Sequence, residues 1–435
     1  MVQQSGMFCK SIFRAERRPM KTEQSGRLKK QWLLIILCCF AYSFAYAGRY
    51  SYNANIAPIM DFYGITRADA GLVGTFFFFA YGVGQFVNAV LCRFYHKKYI
   101  IAGALLLSSA INVALFFHPP FEAVKYLWLF NGACQSILWP TLILTLGEAL
   151  DQSMVKCAVL FMSFSVLIGT FLAYGGSALF NLGAGFRYTF LLGAIPMVAV
   201  GIVWFLSYRA LTERTVPIEM KKTESEKKQS HVSGGMTGAL LGLLIVCAVF
   251  AVVDNFVKDG LNTWMPVILK EQYGFGDSIS ILFTLVLPLF GVFGSILALS
   301  VNRKIKDFRL LIGLFYLILC VFMYGIMLSV RQNASVPFLI CQGFIACFAH
   351  GINGILVSIM PLALREKINS GFLAGAMNAS CYIGSTASAY GLGRIADGSG
   401  WNRVTVVLLA ASVAATVLAG FALTAWLLRR KKREA

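Results

Sequence analysis

Charged residues are scarce in this chain. Only 13% of its 435 residues are Asp, Glu, Lys or Arg, whereas 58% are hydrophobic, and its mean hydropathy is +0.71. Ordinary soluble proteins carry about 25% charged residues, so the composition excludes a soluble domain of that kind. The apolar residues form many runs of the roughly 20 residues that a bilayer requires. The sequence therefore predicts an all-α membrane protein with many spans.

Acidic residues are the scarcer of the two signs, with 19 Asp and Glu against 38 Lys and Arg. The resulting net charge of +19 could indicate nucleic-acid binding. However, the basic residues gather at the ends of apolar runs, where they act as topology signals. We therefore expect membrane lipid around the chain and no nucleic-acid partner.

The sequence also lacks the spacings that hold metals or build enzyme sites. Its 11 cysteines include no C-x-x-C pair, and most lie inside apolar runs, as small buried hydrophobic residues do. We find no metal spacing, nucleotide loop or nucleophilic constellation. No enzymatic activity, metal or cofactor is expected, and Arg394 and Asp397 are interpreted as solvated charges in an outer loop.

Twelve spans are predicted, in two sets of six. They lie near residues 31–51, 70–92, 99–118, 124–147, 157–180, 187–207, 238–259, 278–300, 308–329, 336–362, 371–393 and 403–428. The predicted organisation is a basic tail (1–30), a six-helix half (31–207), a charged linker (208–237), a second half (238–428) and a basic tail (429–435). The basic clusters fall on one side of this count, which predicts that both termini are cytoplasmic, in an inner membrane. A monomer is expected.

The two halves resemble each other, because the second and eighth spans each end with small residues followed by a basic cluster. Two pseudo-symmetric six-helix halves are the layout of the major facilitator superfamily, in which substrate sites lie near the midplane between the halves. This fold is our expectation.

Arg49 is the most informative single residue, because it closes the first apolar run. A charge at membrane depth costs about 3 kcal/mol on insertion scales, so it usually faces a partner or a polar space. Tyr42 and Tyr46 precede it by seven and three residues, which places the three side chains on one helical face. A guanidinium with phenol donors suits a phosphate. The alternative is an arginine that reaches to the headgroups from the helix end.

Lys258 occupies the corresponding position in the seventh span. It precedes Pro266 by eight residues, as Arg49 precedes Pro58 by nine. Two cations at matching depth in paired helices could hold one anion from both sides. Alternatively, Lys258 forms an internal ion pair with Asp254 or Asp259, of the kind found in proton relays.

These residues resemble those of the organophosphate:phosphate antiporters, which include the bacterial glycerol-3-phosphate and hexose-phosphate transporters. The resemblance extends from Tyr42 to about Trp401, and the segment from Lys258 to Glu271 is its most specific part. The other matching residues are Tyr42, Tyr46 and Arg49; Ala80, Tyr81 and Gly82; Gln135, Trp139 and Pro140; and Gly371, Gly375, Tyr382 and Gly384.

The resemblance implies exchange of a small organic phosphate for inorganic phosphate by alternating access. It implies that Arg49 and Lys258 hold the phosphoryl group and that Tyr42, Tyr46 and Tyr81 donate hydrogen bonds. It also implies that Trp139 and Tyr382 shape the pocket for the organic group.

The chain departs from the family pattern in ways that make it a divergent member. The second phosphate-binding arginine is Lys258, which keeps the charge but loses the planar fork, and Asp259 stands beside it. The family's histidine in the fifth span is missing, with Ser163 and Ser165 in that region.

His350, inside the tenth span, is a further candidate for substrate contact or protonation, although such a histidine is more often simply hydrogen-bonded in the bundle. Two other functions remain open. One is a proton-coupled carrier of another organic anion, with Asp254, Asp259 or His350 titrating. The other is a transporter-like sensor of a phosphorylated metabolite.

Overall fold

The structure is a computed structural model that describes residues 22–212, 238–368 and 370–434. The expected N-terminal tail up to residue 21 and most of the expected linker, residues 213–237, lie outside the described residues. All the elements within the described ranges are helices.

Eleven helices in the described part of the chain are long and apolar enough to cross a membrane. The last of them is broken at Gly400, where φ is 72°, so it supplies two spans and brings the number to the predicted twelve. Glycine adopts this left-handed φ at little steric cost. The spans are α1 (Thr22–Ala54), α2 (Arg67–Leu91), α3 (Lys97–Phe116), α4 (Phe121–Ala149), α5 (Gln152–Phe180), α6 (Tyr188–Thr212), α7 (Gly238–Tyr273), α8 (Asp277–Lys304), α9 (Phe308–Arg331), α10 (Ser335–Ala363), α11 (370–399) and α12 (401–434).

The connection from α1 to α2 follows from its local sequence. A short helix, Ile56–Tyr63, accommodates Pro58 in its first turn, where the missing N–H leaves no hydrogen bond unmade. This helix ends on Gly64 at a φ of 62°. The Thr66 hydroxyl then accepts from the Asp69 N–H, and the Asp69 carboxylate accepts from the Thr66 N–H, a capping box that starts α2.

Helix α7 is longer than its predicted span, which ended near residue 259. It continues through Pro266 to Tyr273, and residues on both sides of the proline, such as Trp264 and Ile268, are fully buried. Tertiary packing therefore maintains the helix where proline alone would end it. On its other side α7 lies so close to α11 that a Cβ at Gly384 would be 2.0 Å from the Val252 carbonyl oxygen.

Within the first half, α1 packs against α5 and α6, and α3 packs against α6. In the second half, α7 packs against α10 and α11, and α10 also packs against α8 and α9. Contacts between the halves are made by α2 with α11, by α1 with α7, and by α5 with the first turns of α8. Residues at the α1–α7 and α2–α11 contacts can therefore face a common central space.

We call the end of the bundle at which α1 begins the inner end, and the opposite end the outer end. Hydrogen bonds and ion pairs join the two halves at the outer end, where α1 finishes and α2 starts. Asn53 donates to the Thr263 hydroxyl (3.4 Å), and Lys270 forms an ion pair with Asp61 of the first half. The outer end is therefore closed.

The interpretation of Arg394 and Asp397 as loop charges is wrong. Both lie in α11, which remains helical to residue 399. The Asp397 carboxylate accepts hydrogen bonds from the backbone N–H groups of Arg67 (3.1 Å) and Ala68 (2.8 Å), so it caps the start of α2 from the other half. The Asp397 carboxylate therefore has a structural role at the start of α2 and is not simply a solvated charge.

Candidate substrate-binding site

Arg49 lies near the outer end of α1, one turn before Asn53, and is 6% exposed. Its guanidinium is surrounded by aromatic rings, with the Tyr81 centroid at 4.4 Å, Phe77 at 4.9 Å and Tyr46 at 5.2 Å. Ring faces attract a cation. Nevertheless, its Nη1 atom is buried without a hydrogen-bond partner among the described residues. The guanidinium does not reach to the headgroups, and it keeps a free donor.

The predicted tyrosines gather around this guanidinium. The Tyr46 and Tyr81 rings lie beside it, and the Tyr382 hydroxyl from the second half lies within its hydrogen-bonding reach. The Tyr81 and Tyr382 rings lie 4.9 Å apart across the interface between the halves. Tyr42 continues the group toward the inner end, with its ring 4.9 Å from that of Tyr46. The structure thus brings four predicted residues together around Arg49.

Trp139 forms the wall beside these tyrosines. It follows a break in α4 at Ile137, and its ring lies 4.9 Å from the Tyr42 ring. Gln135, which precedes the break, does not join the site. It is 2% exposed and donates to Ser108 (3.0 Å), so it ties α4 to α3 inside the first half.

Lys258 projects from α7 into a polar cluster of the second half. Its ammonium lies 3.6 Å from the Asp259 carboxylate, at the long end for an ion pair, and the carboxylate also accepts a hydrogen bond from the Ser385 hydroxyl. The side chains of Lys258 and Asp259 remain 11% and 21% exposed, so a space between the helices reaches them. Asp254, one turn nearer the inner end, is fully buried.

The two cations face a shared region. Tyr46 of α1 is an electrostatic neighbour of both Arg49 and Lys258, and Tyr50 lies near both Arg49 and Asp259. One cation comes from each half. Of the two ion-pairing alternatives for Lys258, the pair with Asp259 is formed, whereas no ion pair with Asp254 is formed among the described residues. The anion clamp stays a prediction.

His350 lies at the edge of this cluster. Its Nδ1 atom is 2.8 Å from the Ala346 carbonyl oxygen, one turn earlier in α10, and its ring lies against Gly291 of α8. It is an electrostatic neighbour of Lys258 and Asp259. The ring is thus hydrogen-bonded within the bundle and also close to Lys258.

Sequence reasoning missed an ionic group at the outer end. Arg67 donates from Nε to the Glu271 carboxylate (2.9 Å) and from Nη1 to Asp397 (3.1 Å), while the Trp401 indole donates to Glu271 (2.8 Å). A signal was present, because Arg67 is one of the few basic residues on the side opposite the basic loops. A basic residue on that side indicates an acidic partner nearby.

A family comparison defines the fold that carries this site. The model of the Major Facilitator Superfamily matches residues 38–352. The chain belongs to this superfamily. The expected fold class is therefore confirmed, and the superfamily consists of transporters rather than enzymes, in agreement with the expectation from the motifs.

Three named proteins are similar in sequence to nearly the whole of this chain. The membrane sensor protein UhpC of Salmonella typhimurium is 23% identical over 408 residues, which cover 89% of this chain and 90% of that protein. A probable hexose phosphate transport protein of Chlamydia pneumoniae is 22% identical, with coverage of 87% and 88%. The glycerol-3-phosphate transporter of Bacillus subtilis is 24% identical, with coverage of 86% and 88%. These similarities are those of a divergent member of the organophosphate:phosphate antiporter family.

Solved structures agree on the fold. A bacterial homologue of the human lysosomal transporter Spinster, in an inward-facing and unoccupied conformation, aligns with a TM-score of 0.73 at 14% identity. The alignment covers 90% of this chain and 96% of that one. At this identity the likeness concerns the fold alone.

Proposed function

We propose that this superfamily member exchanges a small organic phosphate for inorganic phosphate by alternating access. The observation that carries the proposal is the buried Nη1 of Arg49, which has no hydrogen-bond partner among the described residues although it lies in a polar, two-sided site. A buried donor without an acceptor is costly, so an incoming anion gains both charge attraction and a hydrogen bond.

Lys258 supplies the second contact from the other half. A phosphate between Arg49 and Lys258 reduces the repulsion between two cations in a region of low dielectric. The anion has to compete with Asp259 for the lysine, and the 3.6 Å separation of that pair makes the competition feasible. Tyr42, Tyr46 and Tyr81 would donate to the phosphoryl oxygens, and Trp139 and Tyr382 would contact the organic group.

The orientation completes the proposal. The basic loops lie at the inner end, so the positive-inside tendency assigns that end and both termini to the cytoplasm. The closed outer end supports an inward-facing state, which we propose for a carrier in the inner membrane. Rocking of the halves about the site would expose it to the other side.

Proteoliposomes test the exchange directly. Uptake of labelled phosphate should require internal phosphate, and it should be lost in Arg49→Gln and in Lys258→Ala. Lys125→Ala is the matched control, because this lysine pairs with Glu122 on the outer surface at 2.8 Å. Full exchange by the Arg49→Gln protein would contradict the proposal.

A second candidate function rests on the similarity to a protein named as a membrane sensor. A sensor would bind a phosphorylated metabolite through the same cations without carrying it. Phosphate binding by the purified protein, combined with the absence of exchange in liposomes, would favour this alternative. Uptake driven by a pH gradient without internal phosphate would instead favour a proton-coupled carrier of another organic anion.

A further inference from the structure

Asp254 is a buried carboxylate without a hydrogen-bond donor. The residue is 0% exposed, and both of its carboxylate oxygens lack a hydrogen-bond partner among the described residues. It lies on α7 four residues before Lys258, on the same helical face. An ionised carboxylate in such surroundings depends entirely on nearby positive charge, and without it the neutral acid is favoured.

Lys258 is the positive charge that faces Asp254. The other groups around the carboxyl are Asp259 on α7, Tyr316 on α9 and Cys381 on α11. The Tyr316 hydroxyl donates to the Phe250 carbonyl (2.7 Å) and is not available to the carboxylate. On α10, His350 faces Lys258 and Asp259 rather than Asp254.

The charge of Lys258 therefore acts on two carboxylates whose ionised forms are stabilised to different extents. Asp259 accepts a hydrogen bond from Ser385 and retains some exposure, so its ionised form has support besides the lysine. Asp254 has neither a hydrogen-bond donor nor exposure to solvent. A third anion that attracts the ammonium therefore destabilises mainly the ionised form of Asp254.

We propose that Asp254 is a proton-binding site coupled to the anion site, taking up a proton from solvent when phosphate engages Lys258 and releasing it when phosphate leaves. The inference rests on the proposed function, because it needs phosphate at Lys258. The step converts a carboxylate and a proton into a carboxylic acid, and no covalent bond to phosphate forms.

The charge balance of the site favours this coupling. The two positive charges of Arg49 and Lys258 are balanced by the two negative charges of Asp254 and Asp259 when both carboxylates are ionised. A phosphate dianion then adds uncompensated negative charge in a poorly solvated site. Protonation of Asp254 removes one of these charges and leaves Lys258 free for phosphate and Asp259. Each phosphate would thus cross the membrane with a proton.

Proton uptake on binding tests the inference. Purified protein in weakly buffered, mildly alkaline solution with a pH-indicator dye is titrated with inorganic phosphate, which is a dianion there. The wild-type protein should take up about one proton for each phosphate bound. Asp254→Asn, which keeps the shape of the side chain, should bind phosphate without this uptake. Glu122→Gln is the matched control and should retain the uptake, because this exposed carboxylate pairs with Lys125 at the outer surface, away from both cations.

The outcomes separate this inference from the proposed function. Binding to the wild type without proton uptake overturns the coupling alone, as does full uptake by Asp254→Asn, since the proton would then belong to the phosphate. No phosphate binding by the wild type overturns both. Calorimetry of the wild type in buffers of different ionisation enthalpy measures the same proton count independently of any variant.

Discussion

Arg67 and Glu271 lock the two halves together at the outer end. The guanidinium of Arg67, at the first turn of α2, contacts the Glu271 carboxylate of α7 through Nη2 at 2.7 Å and through Nε at 2.9 Å. Asp397 and Trp401 complete the group from the second half. Because these residues must separate when the outer end opens, the group stabilises the closed state specifically.

Arg67→Ala should shift the protein toward outer-open conformations. Partly exposed ion pairs contribute up to about 1 kcal/mol, and the substitution also leaves Glu271 and Asp397 as like charges without their cation. We expect the population ratio of closed to open states to fall by about fivefold. Hydrogen–deuterium exchange of peptides from the outer turns of α2 and α11 should accelerate correspondingly.

The control for this change is Arg187→Ala. Arg187 is also at the outer end, but its guanidinium lies over the rings of Phe116 and Tyr188 in its own half. Its loss should leave exchange in α2 and α11 unaltered. Equal acceleration in both variants would mean that the Arg67 group does not hold the halves.

Gly71 permits the closest approach between α2 and α11. A Cβ at this position would lie 2.2 Å from the Ala389 carbonyl oxygen and 3.0 Å from the Trp264 ring. Gly71→Leu should therefore disfavour the closed outer end, at a cost of about 1–3 kcal/mol for overpacking. Fluorescence transfer between dyes at the outer ends of α2 and α11 should report a longer distance. Gly103→Leu, where an added Cβ has no neighbour within 4 Å, should keep the wild-type distance.

The sequence was sufficient to predict the number of spans and the grouping of tyrosines around Arg49, for identifiable reasons. Charge is so rare in apolar runs that Arg49 and Lys258 stand out, and helical spacing already places Tyr42 and Tyr46 beside Arg49. The Arg67–Asp397 contact joins residues 330 positions apart, which no local pattern encodes. The same contact, with the Trp401–Glu271 bond, lies where the helix continues to residue 399, beyond the predicted end of this span near residue 393.

Tyr81→Phe should weaken phosphate binding without destabilising the fold. The change removes only the hydroxyl that is proposed to donate to a phosphoryl oxygen, and it leaves the ring packed against Tyr382. Loss of a hydrogen bond to a charged group costs about 1.5 kcal/mol, so the Kd should rise roughly tenfold. Calorimetry with inorganic phosphate measures this change. Tyr63→Phe, which loses a hydroxyl bonded to the Pro119 carbonyl at the outer end, should bind as the wild type does.

His118 should make the stability of the first half sensitive to mild acid. This residue lies in the loop between α3 and α4, stacked on Phe186 at 5.2 Å, and burial together with the charge of Arg187 lowers its pKa. An unfolded chain binds the proton at about pH 6.5, whereas the folded ring resists it. The unfolded state therefore binds more protons as the pH falls, and stability is lost from about pH 6.5 downward.

His118→Asn should flatten this pH dependence. Asparagine tolerates the φ of 51° at this position and does not titrate in this range. Thermal unfolding in detergent, followed from neutral to mildly acidic pH, should show a smaller fall in Tm for the variant than for the wild type. Arg187→Gln should give an intermediate slope, because it removes the charge but not the burial. Identical slopes in the wild type and His118→Asn would show that the ring titrates equally in both states, and would thereby exclude this residue as the source of acid sensitivity.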